Sequence, residues 1–288
     1  AAEIRDGKLI GRGASDMKAG VAAFVMAAIA QAKRGPPTRG ITLVITAGEE
    51  TGCEGAFHLA RIGALGDAEL LIVAEPSSNL PIIAHKGSVR LRITANGKTA
   101  HSSMPKLGDN AVSKVTDWVK RIEALRFDDH SHPLLGMTTA CVTTIWGGQN
   151  INSVPDSAGF TVDFRTVPSH GHSDLVAAIR RLCGPEATID VVTDFPGFAT
   201  AADHPAISPL LHILADRLGE MPTPTGAPYF TDASALVPGF AHVATVVIGP
   251  GEAAECHQTD EFCYVDRIEH AFGIYSELIE RMCYRQET

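Results

Sequence analysis

The chain has 288 residues, enough for one large domain or two modest ones, and its 45% hydrophobic and 20% charged content is that of a soluble globular protein. A net charge of −9 argues against a nucleic-acid partner, because phosphate binding needs a basic face. No apolar run reaches membrane-spanning length, since the best of them, Val21 to Ala30, stops at Gln31 and Lys33, so no membrane partner is expected.

Taken in chain order, residues 16–34 are apolar around most of a helix circumference (Val21, Phe24, Val25, Ile29), which predicts a buried helix stopped by Gly35-Pro36-Pro37. Ile41 to Thr46 is a continuous β-branched run and reads as a strand covered on both faces. A helix at 54–62 and a strand at Leu70 to Val73 follow. The middle of the chain changes character. Ser88 to Ala95 alternates apolar and polar, a half-exposed strand, and Asp109 to Leu125 carries Val112, Val115, Val119 and Ile122 at helical spacing. Strands at 138–146 and 158–167, a helix at 172–182 and a strand at 187–194 complete a β-α-β-β-α-β order, the ferredoxin-like unit. Helices at 205–218 and 264–282 flank a last strand, Val243 to Ile248. The expected fold is α/β: a catalytic domain of residues 1–82 and 199–288 with a mostly parallel sheet and flanking helices, and an inserted domain of residues 83–198.

In open α/β sheets ligands collect at the carboxyl ends of strands. Glu49 and Glu50 lie past the run 41–46, Glu75 past 70–73, and His257 in the loop after 243–248, while Asp16 stands just before the first helix, near its positive end. Carboxylates gathered in one crevice repel each other unless a cation sits among them, so the set points to a hydrolase using a divalent metal, most simply zinc. A solvated acidic turn remains the alternative for Glu49-Glu50 taken alone. The six cysteines form no Cys-x-x-Cys pair and read as free thiols of a reducing compartment. The opening Ala1-Ala2-Glu3-Ile4-Arg5-Asp6 is polar, with no signal-peptide pattern, and a cytoplasmic location is expected. His130, His132, His170 and His172 form His-x-His pairs in polar sequence and read as surface histidines.

Eight stretches in order resemble one family. They are Gly-Arg-Gly-Ala-Ser-Asp16-Met-Lys, Thr-Ala-Gly-Glu49-Glu50-Thr-Gly-Cys, Ala-Glu75-Pro-Ser, His85-Lys-Gly, Gly97-Lys-Thr-Ala-His101-Ser-Ser, Gly147-Gly-Gln-Asn-Ile-Asn152-Ser-Val-Pro, Asp163-Phe-Arg165 and Cys-His257-Gln-Thr-Asp-Glu-Phe. Together they resemble the co-catalytic zinc amidohydrolases that include aminoacylase, acetylornithine deacetylase, succinyl-diaminopimelate desuccinylase and carboxypeptidase G. The resemblance implies two zinc ions per subunit, with cobalt and manganese as alternatives. It implies that Asp16 bridges the ions, that Glu50 and His257 complete one site, that Glu75 serves the other, and that Glu49 is the general base. The inserted domain is implied to be a lid that forms a homodimer. From it His101 and Asn152 reach the partner's site and Arg165 binds a substrate carboxylate. Turn-capping roles for His101 and Asn152, and a plain strand role for Arg165, stay open beside this, and at Thr231-Asp232 a substrate contact and a helix N-cap are both open.

The chain departs from the family pattern in one respect. No His-x-Asp precedes Asp16, so the site of Asp16 and Glu75 lacks its nitrogen donor, and the chain as given is expected to bind at most one metal tightly and to have little activity. The leading expectation is metal-dependent hydrolysis of N-acyl amino acids, closest to acetylornithine deacetylase. A dipeptidase or carboxypeptidase of the same family, or a catalytically impaired fragment that dimerises, are the alternatives.

Overall fold

A computed structural model describes residues 3–284. Ala1 and Ala2 of the polar opening, and residues 285–288 of the expected catalytic domain, lie outside the described residues. In chain order the protein forms β1 (Glu3–Arg5), β2 (Lys8–Ile10), α1 (Ala19–Ala32), α2 (Glu54–Arg61), β3 (Leu70–Val73) and β4 (Ile82–His85). Then come β5 (Gly87–Asn96), α3 (Ala111–Glu123), β6 (Ser131–His132), β7 (Gly136–Met137), β8 (Thr139–Gly147), β9 (Ser157–Thr166), α4 (His172–Cys183) and β10 (Ala187–Phe195). The remainder is β11 (Phe198–Ala199), α5 (Ser208–Leu218), β12 (Thr225–Ala227), α6 (Ala233–Leu236), β13 (Ala244–Val247), β14 (Phe262–Tyr264) and α7 (Val265–Cys283). These elements segregate into two compact units: unit 1 runs to Ala84 and adds Ala199–Gly226 and the chain from Thr231, and unit 2 is His85–Phe198 with Ala227–Phe230.

Unit 1 opens on a hairpin. Asp6 and Gly7 both hold positive φ, 51° and 73°, and make the tight turn whose twist matches its flanking strands. β14 pairs antiparallel with β2, Phe262 opposite Ile10, so segments far apart in sequence share one three-stranded sheet. A second sheet has the order β11-β4-β13-β3, with β12 on β4. Its core is built by Ile83, Val246 and Ile248 against Ile207, Leu210 and Ile213 beside α5, and Ile274 and Leu278 of α7.

Three expectations for this unit are corrected. The sheet is not mostly parallel: β13 runs parallel to β3 but antiparallel to β4, and the β1-β2-β14 sheet is antiparallel. Residues 41–46 form no strand, because an extended segment becomes one only by pairing and none of the described strands bonds to it. Ile41, Leu43 and Ile45 are exposed accordingly. Finally α1 is buried on one face only. Gly20, Ala23 and Ala27 are buried, while Met26 and Ile29 are exposed, because close packing selects the small residues.

In unit 2 the elements run β5-α3-β6-β7-β8-β9-α4-β10 along the chain; β6 and β7 form a small sheet of their own, and the main antiparallel sheet has the order β10-β5-β9-β8. Alternation explains it. Val89, Leu91 and Ile93 of β5 and Phe160, Val162 and Phe164 of β9 turn to one face, where Val115, Trp118 and Ile122 of α3 and Leu175 and Ile179 of α4 cover them. The histidines of this unit are not all on the surface, as expected from their polar sequence. His170 is 6% exposed and stacks on His130 with ring centroids 3.8 Å apart. The Thr138 hydroxyl lies 3.0 Å from its Nδ1, and His172 is held between Thr166 and Asp194. The polar neighbours that suggested solvent instead satisfy the rings.

His85 is fully buried, with Nδ1 donating to the Lys86 carbonyl at 3.1 Å and Nε2 without a partner. Burial pushes its pKa down to about 4. The unfolded chain, with an ordinary imidazole near 6.5, takes up this proton first as pH falls. Stability from this group is therefore complete above 6.5 and is lost as pH drops towards 4. The wild-type protein should lose roughly 2 kcal/mol of unfolding free energy between pH 7 and pH 5 from this residue. Urea titrations of His85→Gln at both pH values should show a difference smaller by that amount; equal differences reject the assignment. No helix among the described residues is long and apolar enough to cross a membrane.

Candidate functional site

Two loops meet because two strands pair. β2 delivers the segment 11–16 and β14 is fed by the segment 257–261, and the Gly11 N–H donates to the Glu261 carbonyl at 2.8 Å where the strands run on into these loops. Asp16 then stands in a turn just before α1, at a non-helical conformation. Gly251, in the loop after β13, comes so close to this turn that a Cβ there would lie 2.3 Å from the Ser15 carbonyl oxygen. A glycine is needed for that approach.

The structure brings Asp16, Glu50 and His257 together, with one ligand atom of each within 4.8 Å of the others. His257 Nε2 lies 3.3 Å from Asp16 Oδ2 and 3.2 Å from Glu50 Oε1. These three side chains, with Arg12 and Glu261, line a cavity of about 330 Å³. Two carboxylates and an imidazole at this spacing are a donor set suited to a divalent transition metal. His257 itself holds φ 63°, an uncommon conformation for a non-glycine residue.

Glu49 and Glu50 occupy a tight turn in which Gly48 adopts φ 81° and the Gly52 and Cys53 N–H groups both donate to the Glu49 carbonyl at 3.0 Å. Glu50 is exposed on the cavity side and Glu49 is half-buried. Burial first, then the charges of Asp232, Glu50 and Asp16, push the Glu49 carboxyl up to about 7. Glu75 follows β3 and is 7% exposed; burial, and then the carboxylates of Asp16 and Glu49, hold its pKa well above the usual range. Buried anions that repel one another are an unfavourable arrangement that a divalent cation neutralises.

Within unit 2, His101 pairs with Ser153 across an isolated bridge, and the Ser102 N–H donates to the Asn152 carbonyl at 2.9 Å. His101 and Asn152 are therefore neighbours, and both are exposed. His101 Nδ1 accepts from the Ser103 N–H at 3.2 Å and lies 2.8 Å from its hydroxyl, which leaves the ring proton on Nε2. Arg165, on β9, is half-buried, ion-paired to Asp163 at 3.1 Å, with its guanidinium 5.9 Å from the Phe230 ring.

Two further acids belong to this neighbourhood, and the sequence does not assign either its role here. Asp232 accepts a hydrogen bond from Thr46 and supplies the largest single charge effect on Glu49; the N-capping open for Thr231-Asp232 is done by Thr231, whose hydroxyl accepts from the Ala233 N–H at 3.1 Å. Glu261 is 2% exposed and lies in the Cys-His257-Gln-Thr-Asp-Glu-Phe stretch, next to the apolar strand β14.

Comparison with known proteins places this geometry. The chain is 33% identical over 307 residues to a probable succinyl-diaminopimelate desuccinylase of Staphylococcus epidermidis, covering 96% of this chain and 76% of that one. It is 30% identical to acetylornithine deacetylase of Myxococcus xanthus over 97% of this chain and 74% of the relative. Its fold superposes on aminopeptidase PepT of Bacillus cereus with a TM-score of 0.81 at 22% identity, covering 97% of this chain and 75% of that one. A model of peptidase family M20/M25/M40 matches residues 1–281, and with these likenesses the chain belongs to that family, as an enzyme that hydrolyses amide bonds.

Proposed function

We propose that this enzyme hydrolyses the amide bond of N-acyl amino acids, in the manner of an acetylornithine deacetylase, at a metal site made by Asp16, Glu50 and His257, with Glu75 serving a second metal site that shares Asp16. The convergence of the first three ligand atoms within 4.8 Å carries the reading. Zinc suits the mixed carboxylate and imidazole donors. When bound, a divalent cation supplies Lewis acidity to the reaction. Glu49 acts as general base: it accepts a proton from the water that attacks the amide carbonyl carbon and later donates it to the departing nitrogen. A carboxyl pushed up to about 7 is suited to both halves of that exchange.

Unit 2 is read as the ferredoxin-like lid and dimerisation domain. His101, through Nε2–H, and Asn152, through its amide, donate hydrogen bonds to the developing oxyanion in the partner subunit. Arg165 binds the substrate carboxylate with its planar fork. Six free thiols support a reducing, cytoplasmic setting.

The activity is tested by measuring free amine released from N-acetyl and N-succinyl amino acids against dipeptides, each with added zinc, cobalt and manganese. Release from the acyl amino acids supports the proposal; cleavage of dipeptides alone overturns it. The dimer is tested separately. Among the described strands β8 pairs only with β9, and Ile145 and Trp146 on it are exposed, so within the described residues it is an open sheet edge. Sedimentation velocity should show a dimer for the wild type and a monomer for Ile145→Lys; an unchanged dimer removes β8 from the interface.

A further inference from the structure

We propose that Glu261 is a positioning residue for the metal site: its buried carboxylate grips the turn that carries Asp16 and so holds that ligand in register with His257. The proposal rests on the site reading above. The side chain of Glu261 is 1% exposed. Its Oε1 accepts from the Ser15 N–H at 2.8 Å and the Asp16 N–H at 2.9 Å, and its Oε2 accepts from the Gly13 N–H at 2.8 Å and from the Arg12 guanidinium at 3.1 Å. Among the described residues, the hydrogen-bond partners of this carboxylate all belong to the segment 12–16.

Such a grip answers a local need. The backbone of Asp16 and Met17 is not helical, so the N–H groups of Gly13, Ser15 and Asp16 are outside a regular ladder and need an acceptor. Glu261 supplies both of its oxygens to them. Its own placement is set by β14, which begins at the next residue, and the same loop carries His257. The Arg12 guanidinium, which also donates to the Gln258 carbonyl at 3.0 Å, closes the connection from the other side. One carboxylate thus ties together the backbone of one ligand and the loop of another, while touching neither ligand side chain. Outer partners of this kind orient ligands, and their loss weakens metal binding by about 10- to 100-fold.

The test is a zinc titration against a competing chelator on the full chain, well below its melting temperature, for the wild type, Glu261→Gln, Glu261→Ala and His257→Ala. Thermal melts are recorded beside it. Glu261→Ala should bind zinc about 10- to 100-fold more weakly than the wild type while folded. Glu261→Gln keeps one oxygen for the Ser15 and Asp16 N–H groups but turns an NH₂ towards Gly13 and Arg12. It should fall between the two and serves if the alanine variant does not fold. A lower melting temperature with unchanged zinc affinity in both Glu261 variants overturns the proposal, because the residue is then only structural. Failure of the underlying site is seen separately: His257→Ala binding as tightly as the wild type, or no binding by the wild type, overturns the site and the Glu261 role with it.

Discussion

Replacing Glu49 by glutamine should lower kcat for amide hydrolysis by about 10²- to 10⁴-fold, the usual contribution of a general base. The substitution keeps the shape of the side chain and removes its ability to take a proton. Zinc affinity should change little, since Glu49 is not among the three residues whose ligand atoms converge. The wild type should also show an acid limb. Glu49 accepts a proton only when ionised, so kcat falls as pH drops through its pKa. Burial and Asp232, the two largest causes, keep acting when a cation has offset Asp16 and Glu50, which places the limb at or below about pH 7. Asp232→Asn should move that limb to lower pH, and the limb should vanish in the residual activity of Glu49→Gln. A pH profile identical in wild type and Asp232→Asn would remove Asp232 from this role, and full activity in Glu49→Gln would remove Glu49.

The second large effect is the loss of metal on removing His257. An apparent zinc-binding free energy of about 10–16 kcal/mol shared by the three converging donors assigns roughly 3–5 kcal/mol to each, so deletion should weaken binding on the order of 10²- to 10⁴-fold. Isothermal titration of His257→Ala measures the loss. His257→Asn is the conformational control, since asparagine tolerates the φ of 63° found there. Binding within threefold of the wild type in both variants would show that the imidazole is not a ligand.

Much of unit 2 could be read from the chain in advance, and the reason is physical. β5 and β9 have one covered face and one open face, so apolar and polar residues alternate, and α3 repeats its apolar residues at helical spacing. Unit 1 was harder. Three-residue strands such as β1, β2 and β14 are too short to show a period, so the hairpin at Asp6-Gly7 carries a turn signal with no strand signal beside it. Ile41 to Thr46 has strand composition, but strand formation is decided by a neighbour to bond with, which composition does not report. The positions of Asp16, Glu49, Glu50, Glu75 and His257 could be singled out because each interrupts or follows an apolar run. The roles of Glu261 and Asp232 could not, because an acid that serves backbone N–H groups or a threonine hydroxyl looks, in sequence, like any solvated or capping acid.

The bond between the Asp16 N–H and Glu261 spans 245 positions. Contacts of such long range are assembled after a large loop-closure entropy has been met, and they slow folding. During synthesis the cavity therefore stays unformed until the ribosome has released the segment through β14. Zinc drawn from a chelating dye would then report the joining of β14 to β2, and shorter nascent chains would leave the dye loaded.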